Sequence, residues 1–147
     1  MDLKKILASQ KGPLGFYWPV RGEFDPRQVV KDWLFHNNAN EACLPVIVEK
    51  NKPMIFREWL PEQPMTKGTF NIDIPDEKSR VLVPNILLVP TLGFNQKNFR
   101  LGYGGGYYDR TLAQFNAFTI GLCFKHGRSS EIVEEQHDIP LDLVIVG

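Results

Sequence analysis

The chain has 147 residues, enough for one domain with a hydrophobic core. Its 17 basic and 17 acidic residues cancel, so the overall charge gives no attraction to nucleic acid or to an acidic membrane surface. No apolar run approaches the roughly 20 residues of a membrane span, and from the charged start we expect no signal peptide. Cys43 and Cys123 lie in apolar runs, which indicates buried free thiols. We expect a cytoplasmic protein with no nucleic-acid or membrane partner, as a monomer or weak homodimer.

Short apolar runs alternate with helical patterns along the chain. In chain order they predict a strand over 14–20, a helix beginning at Asp25 and Pro26, strands over 42–48 and 54–60 that can pair as a hairpin, a loop over 61–68, a strand over 86–90, a helix from about 107 to 115, a strand over 118–124, a short helix from Ser129 or Ser130 through Glu135, and a strand over 141–146. This alternation predicts crossover connections and a mainly parallel sheet. The expected fold is a single α/β domain over 1–147, a Rossmann-like three-layer sandwich with helices on both faces of the sheet.

The segment most informative about chemistry is 100–110, RLGYGGGYYDR, which follows a buried strand and leads into a helix. Glycines there allow the backbone to approach a ligand, and consecutive amides before a helix form an anion cradle. Arg100 and Arg110 add positive charge, and Asp109 offers a carboxylate that a phosphate-bound magnesium ion requires. The order strand, glycine loop, helix places this segment at the carboxyl end of the sheet.

The spacing of these glycines is not specific by itself. The Walker pattern GxxxxGK[ST] is absent because Tyr107 follows Gly106, and the Rossmann pattern GxGxxG is absent as well. A phosphate-binding loop and a structural turn therefore remain equally open on spacing alone.

A longer pattern includes the same segment. Residues 100–110, with Val89-Pro90 and Gly93-Phe94 before them, resemble the signature of the 5-formyltetrahydrofolate cyclo-ligase family. Further similar segments follow the family order from about Leu14 to the end: 17–19 (YWP), 21–25 (RGEFD), 44–45 (LP), 70–72 (FNI) and 137–142 (HDIPLD).

The resemblance implies an ATP- and magnesium-dependent ring closure of 5-formyltetrahydrofolate to 5,10-methenyltetrahydrofolate, through a phosphorylated formyl oxygen. It implies that Arg100 and Tyr108 are catalytic, that Glu23 and Phe70 contact the folate, and that Asp109 and Asp138 hold magnesium. The residues implied to bind ATP are Arg100, Gly102, Tyr103, Gly104, Gly105, Gly106, Tyr107 and Tyr108.

Two departures from the family pattern are visible. The family's additional basic helix at the amino terminus is expected to be missing, with 1–10 serving only as a lead-in to the first strand. Either the start is truncated, or activity is weakened or lost. Asn95 stands where the family commonly has Asp, which removes a carboxylate or only exchanges one turn cap for another.

Simpler interpretations compete with each assignment. Glu23 can be a solvated loop carboxylate, Asp109 a helix cap, Asp138 a turn cap, and the tyrosines packing residues. At the level of function, an active cyclo-ligase competes with a catalytically impaired folate- or nucleotide-binding homologue, and with a sugar-phosphate or CoA enzyme on a similar scaffold.

Overall fold

The structure, a computed structural model, describes residues 3–20, 22–101, 107–123 and 139–147. Its helices in these ranges are α1 (Leu3–Ala8), α2 (Arg27–His36) and α3 (Tyr107–Leu112). Its strands in the same ranges are β1 (Leu14–Gly15), β2 (Ala42–Val46), β3 (Ile55–Trp59), β4 (Met65–Lys67), β5 (Asp73–Pro75), β6 (Val81–Leu82), β7 (Ile86–Pro90), β8 (Gly93–Phe94), β9 (Arg100–Leu101), β10 (Phe118–Cys123) and β11 (Leu143–Val146).

A seven-stranded sheet, counted over the described residues, organises the fold in the order β11-β10-β7-β1-β2-β3-β6. The five strands from β11 to β2 are parallel, whereas β3 and β6 are antiparallel to their neighbours. The prediction of an α/β fold with a mostly parallel sheet is therefore confirmed. Two small hairpins, β4–β5 and β8–β9, lie outside the main sheet.

The sheet changes its winding direction between β1 and β7. From β1 the chain passes through α2 to β2 on one side, and from β7 it passes through α3 to β10 on the other side. β1 and β7 are hydrogen-bonded neighbours, with Leu14 opposite Ile86 and Gly15 opposite Leu87. The loops that leave their carboxyl ends therefore diverge, and open α/β sheets bind ligands in the crevice at such a point.

Alternate residues of β7 enter two separate apolar clusters, as expected for a strand buried on both faces. Ile86 and Leu88 join the cluster that contains residues of α1 and α2, whereas Leu87 and Val89 join the cluster that contains Leu112 of α3. All four β7 residues are at most 1% exposed. Their burial contributes on the order of 1.5–3 kcal/mol per side chain and fixes the loops above the sheet.

Several predicted boundaries differ from the structure. The hairpin of β2 and β3 is confirmed, but the predicted loop 61–68 contains β4, which pairs with β5. The strand predicted over 14–20 is shorter in the structure, where β1 ends at Gly15 and one further sheet bond joins Phe16 N to Cys43 O at 3.0 Å. Helix α3 ends at Leu112, and the residues after it form a tighter turn in which Gln114 N bonds Thr111 O, three residues back, at 3.0 Å. The helix predicted over 129–135 lies outside the described residues.

The stretch predicted as a lead-in to the first strand contains α1. The indole Nε1 of Trp33 donates to Leu7 O at 3.1 Å, and Lys4 lies 4.0 Å from Asp32, so α1 packs on α2. Within the described ranges, no helix combines the length and the apolar character needed to cross a membrane.

Candidate functional site

The site begins with the loop after β1, which carries Glu23. Glu23 Oε1 accepts a hydrogen bond from Val20 N at 2.8 Å, and Glu23 N donates to Val20 O at 3.0 Å. Gly22 has a φ of +87°, a conformation that a residue with a Cβ rarely adopts. Side chain and backbone together therefore close a tight turn and fix the position of the Glu23 carboxylate.

The carboxylate of Glu23 is only partly hydrated. Burial raises its pKa, while the hydrogen bond from Val20 and the positive charge of Arg100 act in the opposite direction. Because the charge of Arg100 acts on Glu23, the loop after β1 and the hairpin after β7 lie within electrostatic range of each other, although the two residues are 77 positions apart in sequence.

Arg100 stands at the start of β9 and is the most informative residue of the site. Its Nε is buried and has no hydrogen-bond partner within the described part of the chain. Its guanidinium carbon lies 5.0 Å from the centre of the Tyr108 ring, a cation–π arrangement. A buried donor without an acceptor costs about 1–3 kcal/mol, which an anionic ligand would recover.

Tyr108 lies in the first turn of α3, beside Arg100. Burial of its hydroxyl raises its pKa, with Glu23 acting in the same direction and Arg100 against it. The phenol therefore remains protonated at neutral pH and offers a hydrogen-bond donor. Of the residues predicted to form the site, the structure brings Glu23, Arg100 and Tyr108 within electrostatic range of one another.

A second group of residues centres on Tyr107, the residue before Tyr108 in α3. The centres of the Phe70 and Tyr107 rings are 6.3 Å apart, and the ring planes meet at 73°. The guanidinium carbon of Arg110 lies 4.8 Å from the centre of the same Tyr107 ring. Phe70 is 71% exposed and has a φ of +61°. A phenylalanine in the left-handed conformation is uncommon, and residues with such backbone strain are found mostly at binding sites. The exposed ring of Phe70 is therefore accessible to a flat ligand.

Asp109 follows Tyr108, and its Oδ1 accepts a hydrogen bond from Ile139 N at 3.4 Å. Asp138, the other predicted metal ligand, is the residue before Ile139 and lies outside the described residues. Among the residues that the structure describes, no group of three or more His, Cys, Asp or Glu side chains surrounds a common point. Magnesium on nucleotide phosphates requires only one or two protein carboxylates, which Asp109 fits.

The remaining predicted ATP-binding residues, Gly102, Tyr103, Gly104, Gly105 and Gly106, also lie outside the described residues. The hairpin before them is described, and Asn95 stabilises it. Asn95 Oδ1 accepts from Lys97 N at 2.9 Å and from Phe99 N at 3.1 Å. An Asp carboxylate could accept the same two bonds, so Asn95 serves as a turn cap at this position.

Two residues near the site were not among the predicted ones. Tyr17 is 3% exposed, and its hydroxyl donates to Phe24 O at 2.6 Å. Thr111 is fully buried, donates to Tyr107 O at 2.6 Å and accepts from Met54 N at 2.9 Å, which holds α3 against the β2–β3 hairpin. Both hydroxyls act through tertiary contacts, and the sequence carried no signal for them beyond their residue type.

A protein-family model, that of the 5-formyltetrahydrofolate cyclo-ligase family, matches residues 5–147. The chain belongs to this family. The 5-formyltetrahydrofolate cyclo-ligase of Haemophilus influenzae is 29% identical over 99% of this chain and 81% of its own length. The resemblance drawn from residues 100–110 is thereby confirmed, and the homologues that carry the family name are enzymes.

Two solved structures of family members share the fold. The NMR structure of 5,10-methenyltetrahydrofolate synthetase from Aquifex aeolicus matches with a TM-score of 0.78, at 24% identity, over 99% of this chain and 72% of that one. The synthetase structure from Mycoplasma pneumoniae matches with a TM-score of 0.70, also at 24% identity, over 97% and 80%. At this identity they establish the cyclo-ligase fold of the chain.

Proposed function

We propose that this chain closes the ring of 5-formyltetrahydrofolate to give 5,10-methenyltetrahydrofolate, using ATP and magnesium and releasing ADP and phosphate. The observation that carries the proposal is the buried Nε of Arg100, which has no partner among the described residues, on a half-buried side chain near Glu23 and Tyr108 where the loops of β1 and β7 diverge. Family membership supports this reaction, and the arrangement of the three residues supports its location.

The chemistry explains why a phosphate-binding group and a folate-binding group must be neighbours. Formamide oxygen is a poor leaving group, so we propose that it first receives the γ-phosphoryl group of ATP. N10 of the folate then attacks the activated carbon, loses its proton, and the oxygen departs within inorganic phosphate. The protein contributes mainly positioning and charge stabilisation to such a transfer.

We assign the charged residues to the two substrates accordingly. Arg100 donates to the phosphate that is transferred, and the glycine segment 102–106 with Tyr107 lies along the rest of the nucleotide tail. Tyr108, held neutral by burial, donates a hydrogen bond at the same place. Glu23 accepts from the ring N–H and amino donors of the folate, and the exposed ring of Phe70 packs against it.

For magnesium we propose Asp109 together with Asp138. The support is the hydrogen bond from Ile139 N to Asp109, which ties the residue after Asp138 to the first turn of α3. When bound, the ion neutralises charge on the nucleotide phosphates.

We also propose an architecture and a location for the chain. The β1–α2 and β7–α3 connections support a Rossmann-like three-layer arrangement over a single domain. The buried thiols of Cys43 and Cys123, neither of which is in a disulfide, support a reducing, cytoplasmic location, where we propose a monomer or weak homodimer.

The direct test is to incubate the chain with 5-formyltetrahydrofolate and MgATP and to follow the absorbance of the methenyl product. We expect product in proportion to ADP released, and none when either ATP or magnesium is omitted. Tight binding of folate or ATP without product would instead identify a catalytically impaired homologue. Absence of both binding and product would overturn the proposal.

A further inference from the structure

Tyr17 is rigidly anchored below the loop that carries Glu23. It is the second residue after β1, and Phe16 N still bonds Cys43 O of β2 at 3.0 Å, so the sheet holds the backbone up to this point. The Tyr17 ring is 3% exposed and belongs to the apolar cluster of α1 and α2. Its ring therefore has little freedom to move.

The hydroxyl of Tyr17 holds the far end of the turn. It donates to Phe24 O at 2.6 Å, seven residues further along the chain, and Phe24 directly follows Glu23. The near end is closed by the two hydrogen bonds between Val20 and Glu23. Glu23 is thus held on one side by its hydrogen bonds to Val20 and on the other by the bond from the buried Tyr17 to Phe24 O.

The charge environment of Tyr17 keeps its hydroxyl protonated. Burial raises the pKa of the hydroxyl, and Glu23 and Tyr108 act in the same direction. The phenol consequently donates its hydrogen bond to Phe24 O throughout the neutral range.

We infer that Tyr17 is a positioning residue for the folate half of the site, because its hydroxyl fixes the turn that presents Glu23. The inference rests on the proposed function, in which Glu23 contacts the folate. It makes Tyr17 a determinant of folate affinity and leaves the nucleotide half, built on β9 and α3, independent of it. Tyr17 itself touches neither substrate.

The test is a double-mutant cycle of Tyr17→Phe and Glu23→Gln, read by calorimetric binding of 5-formyltetrahydrofolate and, separately, of MgATP. Tyr17→Phe keeps the ring and removes one hydrogen bond, which predicts about 3- to 10-fold weaker folate binding. MgATP binding should stay within about twofold. In the Glu23→Gln background, Tyr17→Phe should add less than about twofold to the loss, because it acts through Glu23.

Thr119→Val is the matched control. It removes a buried hydroxyl that is hydrogen-bonded to Asp142 at the other end of the sheet, and should destabilise the fold without changing either affinity. Gly22→Ala is a second variant in case Tyr17→Phe fails to fold. It strains the same turn at a solvent-exposed residue with a φ of +87° and should weaken folate binding alone.

Several outcomes would overturn the inference. Tyr17→Phe would do so by leaving folate affinity unchanged, or by lowering the affinities for folate and MgATP equally. Additive effects of Tyr17→Phe and Glu23→Gln in the cycle would also do so. So would a loss of folate affinity in Thr119→Val equal to that in Tyr17→Phe. An unaltered folate affinity in Glu23→Gln would do the same. Folate binding without turnover by the unmodified chain would overturn the proposed function alone, whereas no folate binding would overturn both.

Discussion

The two ends of the central sheet differ at one buried side chain. At the amino end, Asp142 Oδ2 accepts from Thr119 N at 2.8 Å and from Thr119 Oγ1 at 3.1 Å, and Asn85 Nδ2 donates to Gly12 O at 2.8 Å. At the carboxyl end, Arg100 keeps a buried Nε without a partner in the described residues. Polar groups that satisfy one another stabilise a fold, whereas a buried donor that lacks an acceptor is suited to a ligand.

The largest expected effect is on Arg100. Arg100→Ala should lower kcat/KM by about 10²–10³-fold, the loss found when a donor to developing transition-state charge is removed. Arg80→Ala is the matched control, because Arg80 is an exposed arginine that pairs with Glu41 and Glu58 far from the site. Steady-state kinetics should show no comparable loss in Arg80→Ala. Equal activity of the two variants would remove the distinction between the ends of the sheet.

The next effect concerns the proposed metal ligand. Asp109→Asn should raise the magnesium concentration needed for half-maximal activity by at least about tenfold, since metal-site substitutions typically cost that much or more. Asp142→Asn is the matched control, because it changes a hydrogen-bonded carboxylate at the amino end of the sheet. It should lower thermal stability without altering the magnesium requirement. A magnesium titration that gives the same curve for Asp109→Asn and the unmodified chain would exclude Asp109 from the metal site.

A smaller effect, on stability, separates Glu23 from Asp25. The pKa of Glu23 is raised in the folded protein, chiefly by burial, so its contribution to stability is present at low pH and is lost as pH rises through that pKa. The hydrogen bond from Arg27 lowers the pKa of Asp25, so its contribution is lost as pH falls.

Accordingly, on going from about pH 4 to about pH 7, Glu23→Gln should gain stability relative to the unmodified chain, and Asp25→Asn should lose it. Urea unfolding of the three proteins at both pH values measures this. Shifts of the same sign for both substitutions would mean that Glu23 is not a desolvated carboxylate.

The smallest effect is expected at Asn95. Asn95→Asp should leave both activity and stability nearly unchanged, because a carboxylate can accept the same bonds from Lys97 N and Phe99 N. Asn95→Ala leaves those amides without their acceptor and should cost about 1–3 kcal/mol. Chemical denaturation measures both. A large gain of activity in Asn95→Asp would show that the missing carboxylate has a role beyond capping the hairpin.

The sequence predicted the strong, local features well. The continuous apolar run of β7 and the turn between β2 and β3 are set by residue type over a few positions, and both were confirmed. The pattern of residues 100–110 identified the family for the same reason.

Features that depend on distant contacts escaped prediction. Helix α1 is held by the indole of Trp33, 26 residues away, and β4 exists only because β5 pairs with it. The approach of Arg100 to Glu23 is set by the neighbouring positions of β1 and β7, which no local pattern encodes. Tyr17 and Thr111 were missed because the sequence does not show which hydroxyl groups find a hydrogen-bond partner in the fold.

The central claim is that ligands bind at the carboxyl end of the sheet and not at the amino end. A titration of the isotope-labelled chain with MgATP, followed by backbone amide chemical shifts, tests it most directly. We expect saturable shifts for Arg100, Leu101 and residues Tyr107–Leu112, and none for Asn85, Thr119 and Asp142. Shifts centred on the latter three, or no saturable shift anywhere, would contradict it.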